Sequence, residues 1–81
     1  MSYSKFITVN KELVILSTSL LDFEIEVSLL SGDSLGSSKL ESGKKLVYRV
    51  NDNVEKVLIR VIDTKIEEEI ILRELKMIES D

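Results

Sequence analysis

Residues 45–63, KLVYRVNDNVEKVLIRVID, constrain the fold more than any other stretch. Leu46, Tyr48 and Val50 alternate with Lys45, Val47 and Arg49. After the polar break Asn51-Asp52-Asn53, Val57, Ile59 and Val61 alternate with Lys56, Leu58 and Arg60. A period of two puts successive side chains on opposite faces of an extended chain, so each run reads as a half-buried strand. Asn and Asp tolerate the conformations that close tight turns, which predicts a β-hairpin of strands at about 45–50 and 55–62.

The rest of the chain extends this pattern. Tyr3 to Val9 reads as a first strand anchored by Phe6. Glu12 to Thr18 is a second, apolar enough to be buried on both faces. Ser19 to Asp22 turns the chain into Phe23–Leu29, where Phe23, Ile25, Val27 and Leu29 face a core and Glu24, Glu26 and Ser28 face water. Residues 31–44 hold all three glycines and many serines, and read as a flexible loop pinned by Leu35 and Leu40. Over residues 65–79 two readings compete. Thr64 and Glu67 fit a capping box, Glu67–Glu69 crowd a first turn, and Ile71, Leu75 and Ile78 share a helical face, which favours a helix. The alternative is a strand through Glu68–Leu72 returning beside Ile62. Residues 1–81 are thus expected to form one mainly β domain, a small antiparallel β-sandwich or β-roll of about five strands with a C-terminal helix or sixth strand.

A chain of 81 residues has little stability to spare, so oligomerisation is expected. The net charge of −4 argues against nucleic acid and anionic membranes, which reward basic surfaces. The absence of cysteine removes disulfides and thiolate metal sites, and the absence of histidine removes the commonest general base. No N-terminal apolar run resembles a signal peptide and no segment is long enough to span a bilayer, so a cytoplasmic or particle-associated protein is expected.

Three patterns resemble chemical motifs. Gly32-Asp33-Ser34-Leu35 matches the GDSL hydrolase signature, but a serine nucleophile needs a base that this chain lacks. Ser38 to Lys45 approaches a phosphate-binding loop, but Ser38 stands where Gly is required and Lys45 where Ser or Thr is. Glu24 and Glu26 lie on one strand face about 7 Å apart and read as a polar face, not an acid–base pair. No catalytic residue, metal ligand or cofactor is expected.

Apolar residues outside the expected core are the stronger signal. Leu58 and Ile62 flank Arg60 on the face opposite Val57, Ile59 and Val61, and Ile71, Leu75 and Ile78 line the C-terminal segment. These six form the expected protein–protein interface.

Residues 48–79 resemble the FlaG family of flagellar proteins. The resemblance is carried by Tyr48-Arg49-Val50-Asn51-Asp52, Leu58-Ile59-Arg60-Val61-Ile62-Asp63 and Glu69-Ile70-Ile71-Leu72-Arg73-Glu74-Leu75, followed by Lys76-Met77-Ile78-Glu79. Leu72 is extra relative to that pattern, the family's Pro-Pro pair is missing, and its Thr-Gly turn reads Ile66-Glu67. The resemblance implies a non-enzymatic flagellar accessory role and a strand at Ile70. The residues themselves point to a non-enzymatic subunit of a larger virion, tail or filament assembly, with itself or other proteins as partners. A monomeric acidic accessory or inhibitor protein is the further alternative.

Overall fold

The computed structural model describes residues 2–79. The strands are β1 (Tyr3–Thr8), β2 (Glu12–Ser17), β3 (Phe23–Leu29), β4 (Ser34–Leu40), β5 (Lys45–Arg49), β6 (Lys56–Val61), β7 (Glu67–Ile71) and β8 (Lys76–Ile78), with a single 3₁₀ turn at Leu72–Glu74. They form two four-stranded sheets, ordered β5-β2-β1-β8 and β4-β3-β6-β7. Every neighbouring pair is antiparallel except β1 and β8, which run parallel. The chain passes from one sheet to the other between β2 and β3, β4 and β5, β5 and β6, and β7 and β8. No helix among the described residues is long and apolar enough to cross a membrane.

Alternation builds the core. Leu13 and Ile15 of β2 look across at Ile25 and Val27 of β3 and at Val57, Ile59 and Val61 of β6, all with no exposed surface. Glu24 is exposed on the opposite face of β3, as its alternation requires. The continuous apolar run of β2 is buried on both sides: Val14 lies outside the sandwich, covered by its cross-strand neighbours Phe6 and Val47. Phe6 is therefore not the inward anchor of β1. Register places Lys5 opposite Ile15 and Ile7 opposite Leu13, so Tyr3, Lys5 and Ile7 point between the sheets.

The expected hairpin does not form. Both strands exist, but β5 pairs with β2 and β6 with β3, in opposite sheets. The Asn-Asp-Asn cluster makes a turn inside the link that crosses the sandwich, where the Val54 amide donates to the Asn51 carbonyl at 3.0 Å. Alternation is satisfied equally well by facing sheets, because it specifies which side of a strand is buried and not which strand lies beside it.

Residues 31–44 are likewise not one loop. They contain β4, whose Leu40 is fully buried and whose Leu35 packs on the core, as the pinning role of both leucines predicts. Gly36 is needed there because the Tyr48 ring lies on it; a Cβ would sit 3.1 Å from Tyr48 Cε1. The C-terminal helix is also absent. Thr64 Oγ1 accepts from the Ile66 amide at 3.0 Å and donates to the Val61 carbonyl at 2.8 Å, closing the β6–β7 turn in place of a helix cap. Asp63 takes a left-handed φ of 61° in that turn, and Glu67–Ile71 returns along β6 as the alternative strand reading requires.

Candidate functional site

The six residues expected to form an interface fall in three places. Leu58, Arg60 and Ile71 lie on the outer face of the second sheet, with Ile62 continuing that run past the end of β6. That face is laced by its own charges. Arg60 Nη2 donates to Glu26 Oε1 at 2.8 Å, and Lys56 Nζ lies 3.3 Å from Glu69 Oε1. The hydrogen bond from Arg60 holds the Glu26 carboxyl below its usual range, and the Arg60 guanidinium is raised in return. Leu58 is half-buried among these pairs, so the face is a charge ladder and not an open apolar patch. Leu75 packs on the core at one end of the sandwich, and Ile78 pairs with Thr8 in the first sheet.

The three chemical look-alikes take structural positions. Gly32 and Asp33 form the β3–β4 turn, where Gly32 has φ 104°. Ser38–Leu40 belongs to β4, so no strand-to-helix loop surrounds Gly43. Among the described residues no group of three or more Asp or Glu side chains is placed to share a cation.

An apolar cleft occupies the end of the sandwich where the β1–β2 turn, the β5–β6 link and the 3₁₀ turn meet. These segments are tied by backbone bonds. The Leu72 amide donates to the Glu55 carbonyl at 2.9 Å, and the Val50 amide to Lys11 at 3.4 Å. Between them remains a cavity of about 350 Å³, floored by buried Ile7, Val50 and Leu72 and walled by Val54, Leu75 and Met77. Lys11, Asp52, Glu55 and Arg73 stand at the lining's polar margin, with Lys11 Nζ 3.3 Å from Asp52 Oδ1. Val9 and Met77, both lining residues, are 58% and 63% exposed. The arrangement can hold an aliphatic group; it brings together no nucleophile with a base.

The opposite end presents the reverse shape. In the β2–β3 loop Leu20 is 93% exposed and Leu21 72%. The loop carrying them is braced, not loose. Ser42 Oγ donates to the Ser19 carbonyl at 2.8 Å, the Ser42 amide donates to Asp22 Oδ1 at 2.9 Å, and the Leu21 amide donates to Ser19 Oγ at 3.2 Å. Leu20 and Leu21 are legible as leucines in a polar turn, but a turn reading alone passes over them. Val9 and Met77 gave no such signal, since the cleft they border depends on the 3₁₀ turn.

Two tyrosines mark where the sheets meet. Tyr3 donates to Glu68 Oε1 at 3.0 Å; burial first, and then that carboxylate, push its phenol well above the usual range. Tyr48 is raised by burial, and its hydroxyl is buried without a hydrogen-bond partner.

No family model, curated protein or solved structure matches the chain.

Proposed function

We propose that this protein is a non-enzymatic protein-interaction module, a small subunit of a larger assembly of virion, tail or filament type, and that its docking site is the end cleft. The observation that carries this reading is the cleft's composition. Its walls are apolar, its volume suits the lower range of ligand sites, and its mouth exposes Val9 and Met77 to water. An aliphatic side chain from a partner protein would replace that exposed contact with a buried one, contributing about 2 kcal/mol per leucine-sized group.

Methyl NMR tests this directly, because the chain has only two methionines and Met77 stands at the mouth. Peptides selected from a display library against the protein should carry neighbouring aliphatic residues and shift the Met77 methyl resonance. Binding should disappear in Met77→Glu. If a short fatty acid shifts that resonance and no peptide does, the cleft is a small-molecule site and the interaction reading fails.

A second reading has one observation in its favour. The resemblance to the FlaG family implies a strand at Ile70, and Ile70 lies in β7. A flagellar accessory protein would be non-enzymatic in the same sense, with a flagellar protein as the occupant of the cleft.

A further inference from the structure

An apolar cleft at one end and an exposed leucine pair at the other sit on a single chain. We infer that the occupant of the cleft is the Leu20–Leu21 tip of a second copy, so that copies join head to tail. This rests on the reading of the cleft as a protein-docking site and names its partner.

Placement rules out insertion within one molecule. β2 begins at Glu12 beside the cleft and ends at Ser17 beside the leucine loop. A strand advances about 3.3 Å per residue, so the two features lie roughly 20 Å apart on a rigid body. The tip can meet a cleft only on another copy.

Size and chemistry match. A cavity of about 150 Å³ lined by aliphatic groups takes up a benzene-sized guest. The end cleft, at about 350 Å³, has room for both leucine side chains. Ser42 and Ser19 hold the tip in place before contact, which lowers the ordering that association requires. Charge agrees as well. Arg73 at the cleft makes no ion pair among the described residues, while Asp22 follows Leu21 at the tip. Asp22 accepts from the Ser42 amide through Oδ1, and the nearest cation to it, Lys39, lies 3.8 Å from Oδ2.

The two surfaces differ, so the contact is heterologous. A joined pair leaves one free tip and one free cleft, and growth continues unless the ring closes. With −4 per copy opposing assembly and apolar contact driving it, added salt should strengthen association.

Complementation between full-length variants tests the proposal. Leu20→Asp with Leu21→Asp removes the tip and keeps the cleft. Val9→Glu with Met77→Glu blocks the cleft and keeps the tip. All four positions are exposed, and circular dichroism with a thermal melt verifies that each variant folds. In sedimentation velocity, the weight-average mass of the wild type should rise at least twofold from low micromolar to millimolar concentration. Each variant alone should stay monomeric, and an equal mixture should form one-to-one dimers and nothing larger. A wild type monomeric throughout, variants that still associate, or a mixture that stays monomeric each overturns head-to-tail joining. The Met77 resonance separates the two readings. If it shifts with selected peptides while the wild type stays monomeric, the cleft binds a different protein and only the second-copy inference falls. If it shifts with neither, both fall.

Discussion

Lys5 Nζ and Glu68 Oε1 lie 2.7 Å apart and join the two sheets from the inside. Lys5 projects inward from β1 and Glu68 inward from β7, and Tyr3 donates to the same carboxylate oxygen. The Lys5 ammonium also sits 5.6 Å from the centre of the Tyr3 ring. A charged residue at an inward strand position is tolerated here because both side chains reach the rim, where they remain 28% and 39% exposed.

Removing the shared acceptor should therefore hurt more than removing the cation. Glu68→Ala leaves Lys5 and Tyr3 without their partner and should lower unfolding free energy by about 1–2 kcal/mol in urea titrations. Lys5→Met keeps the aliphatic stem and should cost less than about 1 kcal/mol. A larger loss from Lys5→Met than from Glu68→Ala would show that the ammonium, not the carboxylate, organises the cluster.

Alkaline pH should destabilise the fold. Both phenols have folded pKa values above that of a free tyrosine, about 10. Between the unfolded and folded values the native state holds more protons than the unfolded one, so stability falls as pH rises. Their contribution is complete below about pH 10 and declines above it. Tyrosinate absorbance should lag behind that of a denatured control, then appear together with loss of the circular dichroism signal. Free-tyrosine titration with the fold intact would contradict the burial of both rings.

Tyr48 also predicts a stabilising substitution. Its hydroxyl is buried without a partner, so Tyr48→Phe should gain about 1 kcal/mol. Gly36→Ala should lose a similar amount, because the new methyl meets the Tyr48 ring at 3.1 Å. Adding Tyr48→Leu should recover part of that loss, a non-additivity that a double-mutant cycle reads out.

Exposed and buried leucine-type residues should separate sharply in stability. Ile25, with no exposed surface, should lose about 2–5 kcal/mol as Ile25→Ala. Leu20→Ser and Leu21→Ser should each change monomer stability by less than about 0.5 kcal/mol. A large loss from Leu20→Ser would mean the tip supports its own fold.

The inward and outward faces of β3, β5 and β6 are legible because alternation reports burial directly, and the two-sided burial of β2 because its apolar run is continuous. Phe23, Ile25 and Val27 were assigned to the core from spacing alone, and they are there. Strand partners were not legible: Tyr48 and Ile59 fit one sheet or two facing sheets equally. The C-terminal reading turned on Thr64, whose hydroxyl suits a helix cap and a tight turn alike, and the open edge of β6 decided between them. Leu75 lines the cleft, but its sequence signal is a shared helical face with Ile71 and Ile78 that the fold does not form. Leu58 and Ile62, alongside Arg60, read as apolar excess until the register supplies the cross-strand acids Glu26 and Glu69. The cleft itself joins side chains from both ends of the sequence, Ile7 and Met77 among them, and no local pattern records such a meeting.

The parallel pairing of β8 with β1 sets Phe6 beside Lys76, so one edge of β1 is closed by a strand far along the chain. During synthesis β1 can take up β2 as a neighbour early, but its other edge stays bare until residues 76–78 have left the ribosome. Loop-closure entropy grows only slowly with length, so this separation costs about 0.6 kcal/mol more for each doubling of the loop. The Met77 wall of the cleft therefore hangs on a strand pairing of long sequence separation.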